Sequence, residues 1–528
     1  MQLAAFLFFT LLVAVISYLA TRKTAEATSD GYFLGGRSLT GVVIAGSLLL
    51  TNLSTEQIVG LNGAAFKEGI LVMAWETLAA IAMVVTAFVL LPRYLKGGIT
   101  TVPQFLEKRF DKTTKTITSG LFLSGYMVVL LPIVLYSGAL AINTMFDIPE
   151  LLGISETKAL WITVWGIGTV GSVYAIFGGL KAVAVSDTLN AVGLLAGGLL
   201  IPIFGLMAIG EGNVLDGMEV LMQENPEKFK VLGGSKASVP FSTIFTGMML
   251  VQLFYWGTNQ AIIQRALGAK NLKEGQKGLL LASFIKILGP LIVVLPGIIA
   301  FHMFEGGLEN PDQAYPLLVS KVLPASLLGF FAAVLFGAVL SSFNSALNSS
   351  VTLFGLDIYK TYINKSATER QVVKIGKSFG ILLAIFAMGI APLIANAPHG
   401  LFGYLQEVNG CYSIPILTII LVGIFTKYVP AIAAKIAILS GVILYSISQF
   451  ILKPYVFGSD NYLHYLHVMA ILFALNVIVM LIIGKIAPRK EAYQQIFTHE
   501  VNIVPWRYLK VFSIAIIIIV ISIYIYFS

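Results

Sequence analysis

Long apolar segments follow one another along nearly the whole chain, separated by short polar loops. Fourteen of them reach about 20 mostly apolar residues, the length at which a helix crosses a membrane. The pattern therefore predicts an all-α polytopic membrane protein, with residues 1–528 forming a single transmembrane domain. The predicted spans are 3–21, 40–63, 70–92, 117–145, 159–178, 188–209, 241–263, 279–303, 325–352, 378–396, 402–425, 432–453, 463–484 and 510–527.

Composition and charge agree with this pattern. The 528 residues are 57% apolar and 11% charged, which excludes a soluble globular protein. Most of the 34 lysines and arginines lie in alternate loops, such as 93–115 and 265–277. The positive-inside rule places these loops in the cytoplasm, so both termini are expected outside the plasma membrane. Arg22 and Lys23 follow the first span rather than precede it, which argues against a cleaved signal peptide.

A polar string, Thr51–Gln57, interrupts the second predicted span. Such residues at membrane depth require a water-filled or ligand-filled interior, which indicates a transporter. The side chains around Asn52 and Ser54 compete with helical hydrogen bonds and favour a local break. A broken helix frees carbonyl oxygens that suit a hard ion such as sodium, while Gln57 lies on a face that can line a cavity. The alternative is a polar helix-packing interface, and Glu56 has no assigned role.

A carboxylate and an ammonium also lie inside predicted spans. Glu76 follows Trp75 near the start of the third span, and Lys286 lies well within the eighth. A buried carboxylate needs a partner or the hydroxyl groups of a ligand. The two residues could bridge each other as a structural ion pair, or both could bind a polyhydroxylated solute.

Two further spans carry polar groups. In the seventh, Gln252, Tyr255 and Trp256 combine amide and aromatic groups suited to a sugar, or else anchor a helix near the interface. In the ninth, small polar residues form one stripe whose hydroxyls could complete a sodium shell or simply pack helices. The stripe contains Ala338, Ser341, Ser342, Ser345, Asn348 and Ser349.

Motifs for covalent chemistry are missing from the sequence, and we predict no enzyme. Residues 166–171 match the dinucleotide fingerprint GxGxxG, but they lie in an apolar span with no preceding strand. Close packing of helices by small residues is the favoured interpretation of that match.

These residues resemble the sodium/solute symporter family, and most closely its sodium/glucose cotransporter branch. The matching segments run in the family's order from about residue 31 to 415. They are Asn52–Gln57 with Gly60, Trp75-Glu76, Gly178–Ala182 with Asp187, Tyr255–Gly257 through Asn259-Gln260 to Gln264-Arg265, Gln276–Gly278, Ser341-Ser342, Asp357–Lys360 and Gln406-Glu407.

The resemblance implies a LeuT-type fold, with an inverted-repeat core of five plus five helices at about 40–425. Helices at 3–21 and about 432–527 would flank this core. Sodium, the only metal expected, would bind backbone oxygens of Leu50, Leu53 and Ala338 and the hydroxyls of Ser341 and Ser342. Asp187 matches an acidic residue on the inward exit of the ion. No organic cofactor is implied.

The resemblance also implies a solute site and its gates. Tyr255 would serve as an inner gate, and Leu61, Trp75 and Phe402 as outer-gate positions. Ala79 and Leu130 replace a hydroxyl and an amide of the family's pattern, and Gln252 replaces Asn, so the preferred sugar is expected to differ. The substrate-binding positions would be Asn52, Gln57, Glu76, Gln252, Tyr255, Trp256, Lys286 and Gln406.

The sequence thus predicts a sodium-coupled symporter that imports a small polar solute, a sugar or polyol, by alternating access. One alternative is a symporter for a carboxylate or amino acid, with Lys286 as the anion's partner. A sensor or channel on the same fold is a second alternative. The expected partners are the solute, sodium and the lipid bilayer, with no nucleic acid and no obligate protein partner.

Overall fold

The computed structural model describes residues 2–21, 28–396, 401–458 and 461–528. Arg22 and Lys23, which the interpretation of the first loop used, lie outside these ranges. Regular structure in the described part of the chain is helical, with one isolated bridge between Leu39 and Ala269. The all-α prediction is therefore confirmed.

The helices are numbered in chain order. They are α1 (Gln2–Thr21), α2 (Ser29–Leu34), α3 (Gly41–Asn52), α4 (Thr55–Glu68), α5 (Ala74–Val85), α6 (Leu91–Lys96), α7 (Val102–Arg109), α8 (Lys112–Gly125), α9 (Leu131–Phe146), α10 (Ile148–Leu152), α11 (Glu156–Ile209), α12 (Val214–Glu224), α13 (Met249–Gly257), α14 (Gln260–Leu267), α15 (Leu272–Ile287), α16 (Gly289–Val293), α17 (Leu295–Met303), α18 (Ala314–Val322), α19 (Ala325–Thr352), α20 (Glu369–Ile390), α21 (Leu401–Phe425), α22 (Ala431–Ile447), α23 (Tyr465–Ile486) and α24 (Leu509–Tyr526). Short π-helical turns extend several of them, among them Leu353–Ile363 after α19.

Nine helical runs among the described residues are long and apolar enough to cross a membrane. The pair Leu272–Ile287 and Gly289–Met303, bent by 50°, makes a tenth if it forms one span. These runs show an integral multi-pass membrane protein. The count of fourteen spans and the five-plus-five repeat stay predictions. The predicted spans 159–178 and 188–209 belong to one unbroken helix, α11, so span boundaries and helix boundaries do not coincide there.

The helix break predicted within Thr51–Gln57 is present. Helix α3 ends at Asn52 and α4 begins at Thr55. Between them Leu53 leaves the helical region with φ −75° and ψ 53°, and Ser54 is extended with φ −80° and ψ 174°. The last carbonyls of α3 consequently lack the amides of a following turn.

Loops predicted to be cytoplasmic meet at one end of the molecule, which we call the basic face. The segment 487–508, before α24, connects them. Arg489 donates to the carbonyl of Arg109, the amide of Thr498 donates to the carbonyl of Lys96, and the amide of Leu272 donates to the carbonyl of Asn502. These loops therefore lie on the same side, as the alternation of charge requires.

The opposite end holds the other set of loops. The Lys228 ammonium donates to the carbonyls of Phe66 and Lys67 at the end of α4, at 3.1 and 2.6 Å. The amide of Ser238 donates to the carboxylate of Glu68 at 2.8 Å. The long polar loop before α13 thus folds back onto the end of the broken helix.

Helix α19 packs centrally, against α11, α1, α9 and α3. Glycines of α11 allow close approach: a Cβ on Gly171 would lie 2.8 Å from Phe343 of α19, and one on Gly168 would collide with Met388 of α20. Gly168 and Gly171 of the GxGxxG match accordingly pack helices, whereas a Cβ on Gly166 would meet nothing within 4 Å. This packing holds the polar stripe of α19 against the break after α3.

Candidate functional site

The break after α3 contacts the polar stripe of α19 through hydroxyl groups. Ser342 Oγ donates to the carbonyl of Thr51 at 2.9 Å. Thr51 Oγ1 lies 3.1 Å from Ser345 Oγ and 3.5 Å from Ser341 Oγ. Because the stripe carries small hydroxyl side chains rather than bulky ones, it brings several oxygen atoms to the end of α3.

The five predicted sodium ligands lie in this region and are buried. Leu50 and Leu53 flank the end of α3, while Ala338, Ser341 and Ser342 share one face of α19. The last α3 carbonyls have no following helical turn to bind, and the Thr51 carbonyl accepts from Ser342 instead. Hard oxygen ligands of this kind, carbonyl and hydroxyl, suit an alkali cation.

Asp187 belongs to a neighbouring buried network. Its carboxylate accepts from Ser47 Oγ at 2.6 Å, and Arg265 Nε donates to the same hydroxyl at 3.2 Å. The Arg265 guanidinium also contacts Ser345 Oγ. Since Ser345 lies beside Thr51, the acid and the guanidinium are connected to the break by hydroxyl groups.

A second polar cluster lies on the other side of the break. The Lys286 ammonium contacts both the Glu76 carboxylate and Asn52 Oδ1, and Gln57 Nε2 donates to the other Glu76 oxygen at 2.8 Å. Lys286 and Glu76 are fully buried. Four predicted solute-binding residues from α3, α4, α5 and α15 are thus brought together as one network, which we call the Lys286–Glu76 cluster.

Aromatic side chains border this cluster. The Lys286 ammonium lies 5.9 Å from the centroid of the Trp256 ring, and Tyr255 and Trp256 meet edge to face at 5.3 Å. Gln252 is held differently, because its Nε2 donates to the carbonyl of Trp75 at 2.9 Å. Its amide group binds backbone and does not contact the other predicted solute ligands.

Two of the three predicted outer-gate residues contact each other. The rings of Trp75 and Phe402 pack edge to face with centroids 5.0 Å apart, and Leu61 is fully buried. Gly60 allows this approach, since a Cβ there would lie 2.6 Å from the Phe402 Cβ. Two large aromatic residues are therefore in contact at positions where the resemblance predicts the outer gate.

Gln406 stands apart from the other predicted solute ligands. It is partly exposed, and its Oε1 accepts from Asn409 of the same helix at 3.5 Å. Of the two substituted positions, Ala79 is buried on α5, the helix that carries Glu76, and Leu130 is only partly buried. The structure therefore assembles most of the predicted set, but the amides of Gln252 and Gln406 do not join the cluster.

Sequence reasoning did not assign three residues that the structure places here. Arg265 and Ser47 were not linked to the ion region, although a cation next to an apolar span is a signal that a counter-charge lies nearby. Glu56 is buried at the start of α4, and its Oε2 has no hydrogen-bond partner within the described ranges.

Comparison with known proteins gives consistent results. The model of the sodium:solute symporter family matches residues 32–441. An uncharacterized symporter of Escherichia coli, YidK, is 48% identical over 99% of this chain and 90% of its own length. The sodium/glucose cotransporter of Vibrio parahaemolyticus is 32% identical over 80% of this chain and 79% of its own, and the human sodium/myo-inositol cotransporter is 31% identical over 79% and 62%.

Solved structures give the same fold. A sodium-coupled sialic acid symporter in a substrate-bound, outward-open state superposes with a TM-score of 0.76, at 20% identity, over 93% of this chain and 99% of its own. A nucleobase-cation-symport-1 family transporter in a closed conformation gives 0.55, at 14% identity, over 86% and 94%. These relatives and neighbours are transporters rather than enzymes.

Proposed function

Because the chain belongs to the sodium:solute symporter family, we propose that it imports a small polar solute, a sugar or polyol, together with sodium by alternating access. The observation that carries this proposal is the position of the α3 break between two sets of polar groups. Thr51 and its hydroxyl partners lie on one side, and Asn52, bound by Lys286, lies on the other. Adjacent residues of one broken helix therefore serve both ligands.

For the ion, we assign Leu50, Leu53, Ala338, Ser341 and Ser342. In the present arrangement Ser342 donates its proton to the Thr51 carbonyl, so its oxygen retains lone pairs for a cation. Sodium bound here would hold α3 against α19. Asp187 would receive the ion on its way to the basic face, with Ser47 and Arg265 orienting its carboxylate.

For the solute, we assign the Lys286–Glu76 cluster with Tyr255, Trp256, Gln252 and Gln406. An ammonium, a carboxylate and two amides provide donors and acceptors for hydroxyl groups, and aromatic faces stack on a sugar ring. These groups bind one another in the cluster, so the solute's hydroxyls would replace internal hydrogen bonds. The sodium/glucose and sodium/myo-inositol cotransporters among the relatives favour this class of solute.

Coupling follows from the shared break. Each ligand must favour the same state of the protein, and the effect of one on the affinity of the other is reciprocal. One sodium ion moving down a potential of 100 mV releases about 2.3 kcal/mol, enough to accumulate an uncharged solute. Trp75, Phe402 and Leu61 would close the outer side, and Tyr255 the inner side. We place the protein in the plasma membrane with both termini outside.

A carboxylate or amino acid is the second candidate, since Lys286 is a cation and one structural neighbour is named as a sialic acid symporter. The contact between Lys286 and Glu76 disfavours it, because an incoming anion would have to displace a buried carboxylate. A channel or sensor has no specific support from these contacts.

Uptake into proteoliposomes tests the proposal. The purified chain would be offered a panel of labelled sugars, polyols, amino acids and organic acids, with and without an inward sodium gradient. We expect saturable, sodium-dependent accumulation of one or a few polyhydroxylated solutes. Accumulation of acids alone would favour the second candidate, and ion flux without saturable solute uptake would indicate a channel.

A further inference from the structure

A groove outside the transport pathway lies between α15, the start of α3 and α24. It has a volume of about 450 Å³. Its walls are mostly apolar, and Leu281, Phe284 and Phe512 are exposed on them. One end of the groove, at Trp506 and Lys277, meets the basic face.

The groove extends from the interface into the depth of the membrane. Lys277 and Phe284 on α15, like Phe512 and Ile519 on α24, are seven residues apart, which corresponds to about 10 Å along each helix. Trp506 is fixed at the open end, because its backbone amide donates to Gln276 Oε1 at 2.8 Å. An apolar channel with an indole and an ammonium at its mouth matches an acyl chain attached to a polar headgroup.

Charge at the mouth favours an anionic headgroup. The only acidic residue lining the groove, Glu274, is occupied: it accepts from the amide of Gly41 at 2.8 Å and from the Lys277 ammonium at 3.0 Å. Lys277 retains two further N–H donors. Two exposed basic residues are next to lining residues in the sequence: Lys273 precedes Glu274, and Arg507 follows Trp506, with its guanidinium also contacting the Tyr508 hydroxyl.

We propose that this groove binds one anionic glycerophospholipid from the leaflet on the basic face. The phosphate would contact Lys277, Arg507 and the Trp506 indole, and an acyl chain would lie along Leu281, Phe284 and Phe512. Basic pockets between helices on the cytoplasmic side are known to bind such headgroups. The lipid would contact Gly41, the first residue of α3, and α15, whose Lys286 contacts Asn52 at the break.

Native mass spectrometry of the purified full-length chain tests this site directly. The protein would be titrated with phosphatidylglycerol and with phosphatidylcholine of the same acyl chains. We expect preferential retention of phosphatidylglycerol, and a loss of about fivefold in its affinity for Lys277→Gln and for Arg507→Gln. The matched control is Lys374→Gln, which removes an exposed lysine of α20, away from the groove.

A second variant separates binding from folding. Ala515→Trp fills the groove without altering charge, and it should reduce retention of both lipids in protein that remains monodisperse on gel filtration. Water-soluble glycerophosphoglycerol, which lacks acyl chains, should not compete. Any one of four results would overturn the proposal. These are equal retention of the two lipids, an equal loss of affinity in Lys374→Gln, full competition by the soluble headgroup, and unchanged retention in Ala515→Trp. The readout does not depend on which solute is transported.

Discussion

The Lys286 ammonium contacts the Glu76 carboxylate, and both side chains are fully buried although they come from different helices, α15 and α5. A buried pair of this kind replaces hydration that neither charge can obtain in the membrane. Gln57 and Asn52 complete it with hydrogen bonds from the segments after and before the break. The pair thereby connects the broken helix to two neighbouring helices.

Removing one charge of this pair is expected to abolish solute binding. Glu76→Ala deletes acceptors for the solute and leaves the Lys286 ammonium unpaired, which costs roughly 3–5 kcal/mol of stability. The double variant Glu76→Ala/Lys286→Ala removes the unpaired charge, so it should be more stable than the single variant but still unable to bind. Equilibrium binding of the labelled solute and thermal unfolding in detergent measure the two effects. Normal transport by Glu76→Ala would rule out the assignment of Glu76 to the solute site.

Ser342→Ala should weaken sodium activation without disturbing the fold. The substitution removes one proposed ion ligand and the hydrogen bond to the Thr51 carbonyl. A loss of about 1 kcal/mol raises the sodium concentration for half-maximal uptake about fivefold. Ser350→Ala is the matched control, because Ser350 is buried on the same helix and bonds only locally, to the carbonyl of Ala346. An unchanged sodium dependence in Ser342→Ala would refute the ion assignment.

The features that sequence predicted well have strong local or chemical causes. The break was predicted from the tendency of Asn and Ser to compete with helical hydrogen bonds, and Leu53 and Ser54 do leave the helix. Ser54 nevertheless makes no capping bond to α4, and Asn52 Oδ1 contacts Lys286. The contact between Glu76 and Lys286 was one of two predicted outcomes, because isolated charges inside apolar spans must find partners.

Other features depend on packing that sequence patterns do not record. The predicted spans 159–178 and 188–209 leave residues 179–187 as a loop, but these residues continue α11. Asp187 is accommodated there because Ser47 of another helix donates to it. Likewise, only the folded arrangement shows that the amide of Gln252 binds the carbonyl of Trp75.

Acid should weaken the connection between α8 and α22 near the basic face. Asp111 caps α8 by accepting from the amide of Thr114 at 2.8 Å, and it accepts from Lys435 Nζ at the same distance. Partial burial raises the pKa of Asp111, but the hydrogen bonds from Lys435 and Thr114 outweigh it, so the pKa lies below its ordinary value of 3.8. The carboxylate therefore contributes stability that is fully present above pH 3.8 and is lost as pH falls through the folded-state pKa.

Asp111→Asn keeps the helix cap and removes the ion pair, so its unfolding midpoint should fall slightly at pH 7, by an amount equivalent to less than about 1 kcal/mol. The unfolding midpoint of Asp111→Ala should fall further, because this variant also loses the helix cap. Thermal unfolding followed from pH 7 to pH 3 measures the three proteins. A gap between wild type and Asp111→Asn that does not narrow as pH falls below 3.8 would contradict this account.

Gly60→Ala should prevent the outer gate from closing. The added Cβ would lie 2.6 Å from the Phe402 Cβ, so the contact between Phe402 and Trp75 could not form as observed. With Cys411 replaced by Ser and Leu61 by Cys, a membrane-impermeant maleimide added outside should label residue 61 faster in Gly60→Ala. Gly403→Ala is the control, because a Cβ there meets nothing within 4 Å. Equal labelling rates in the two variants, or faster labelling only from the basic face, would show that Trp75 and Phe402 do not form the outer gate.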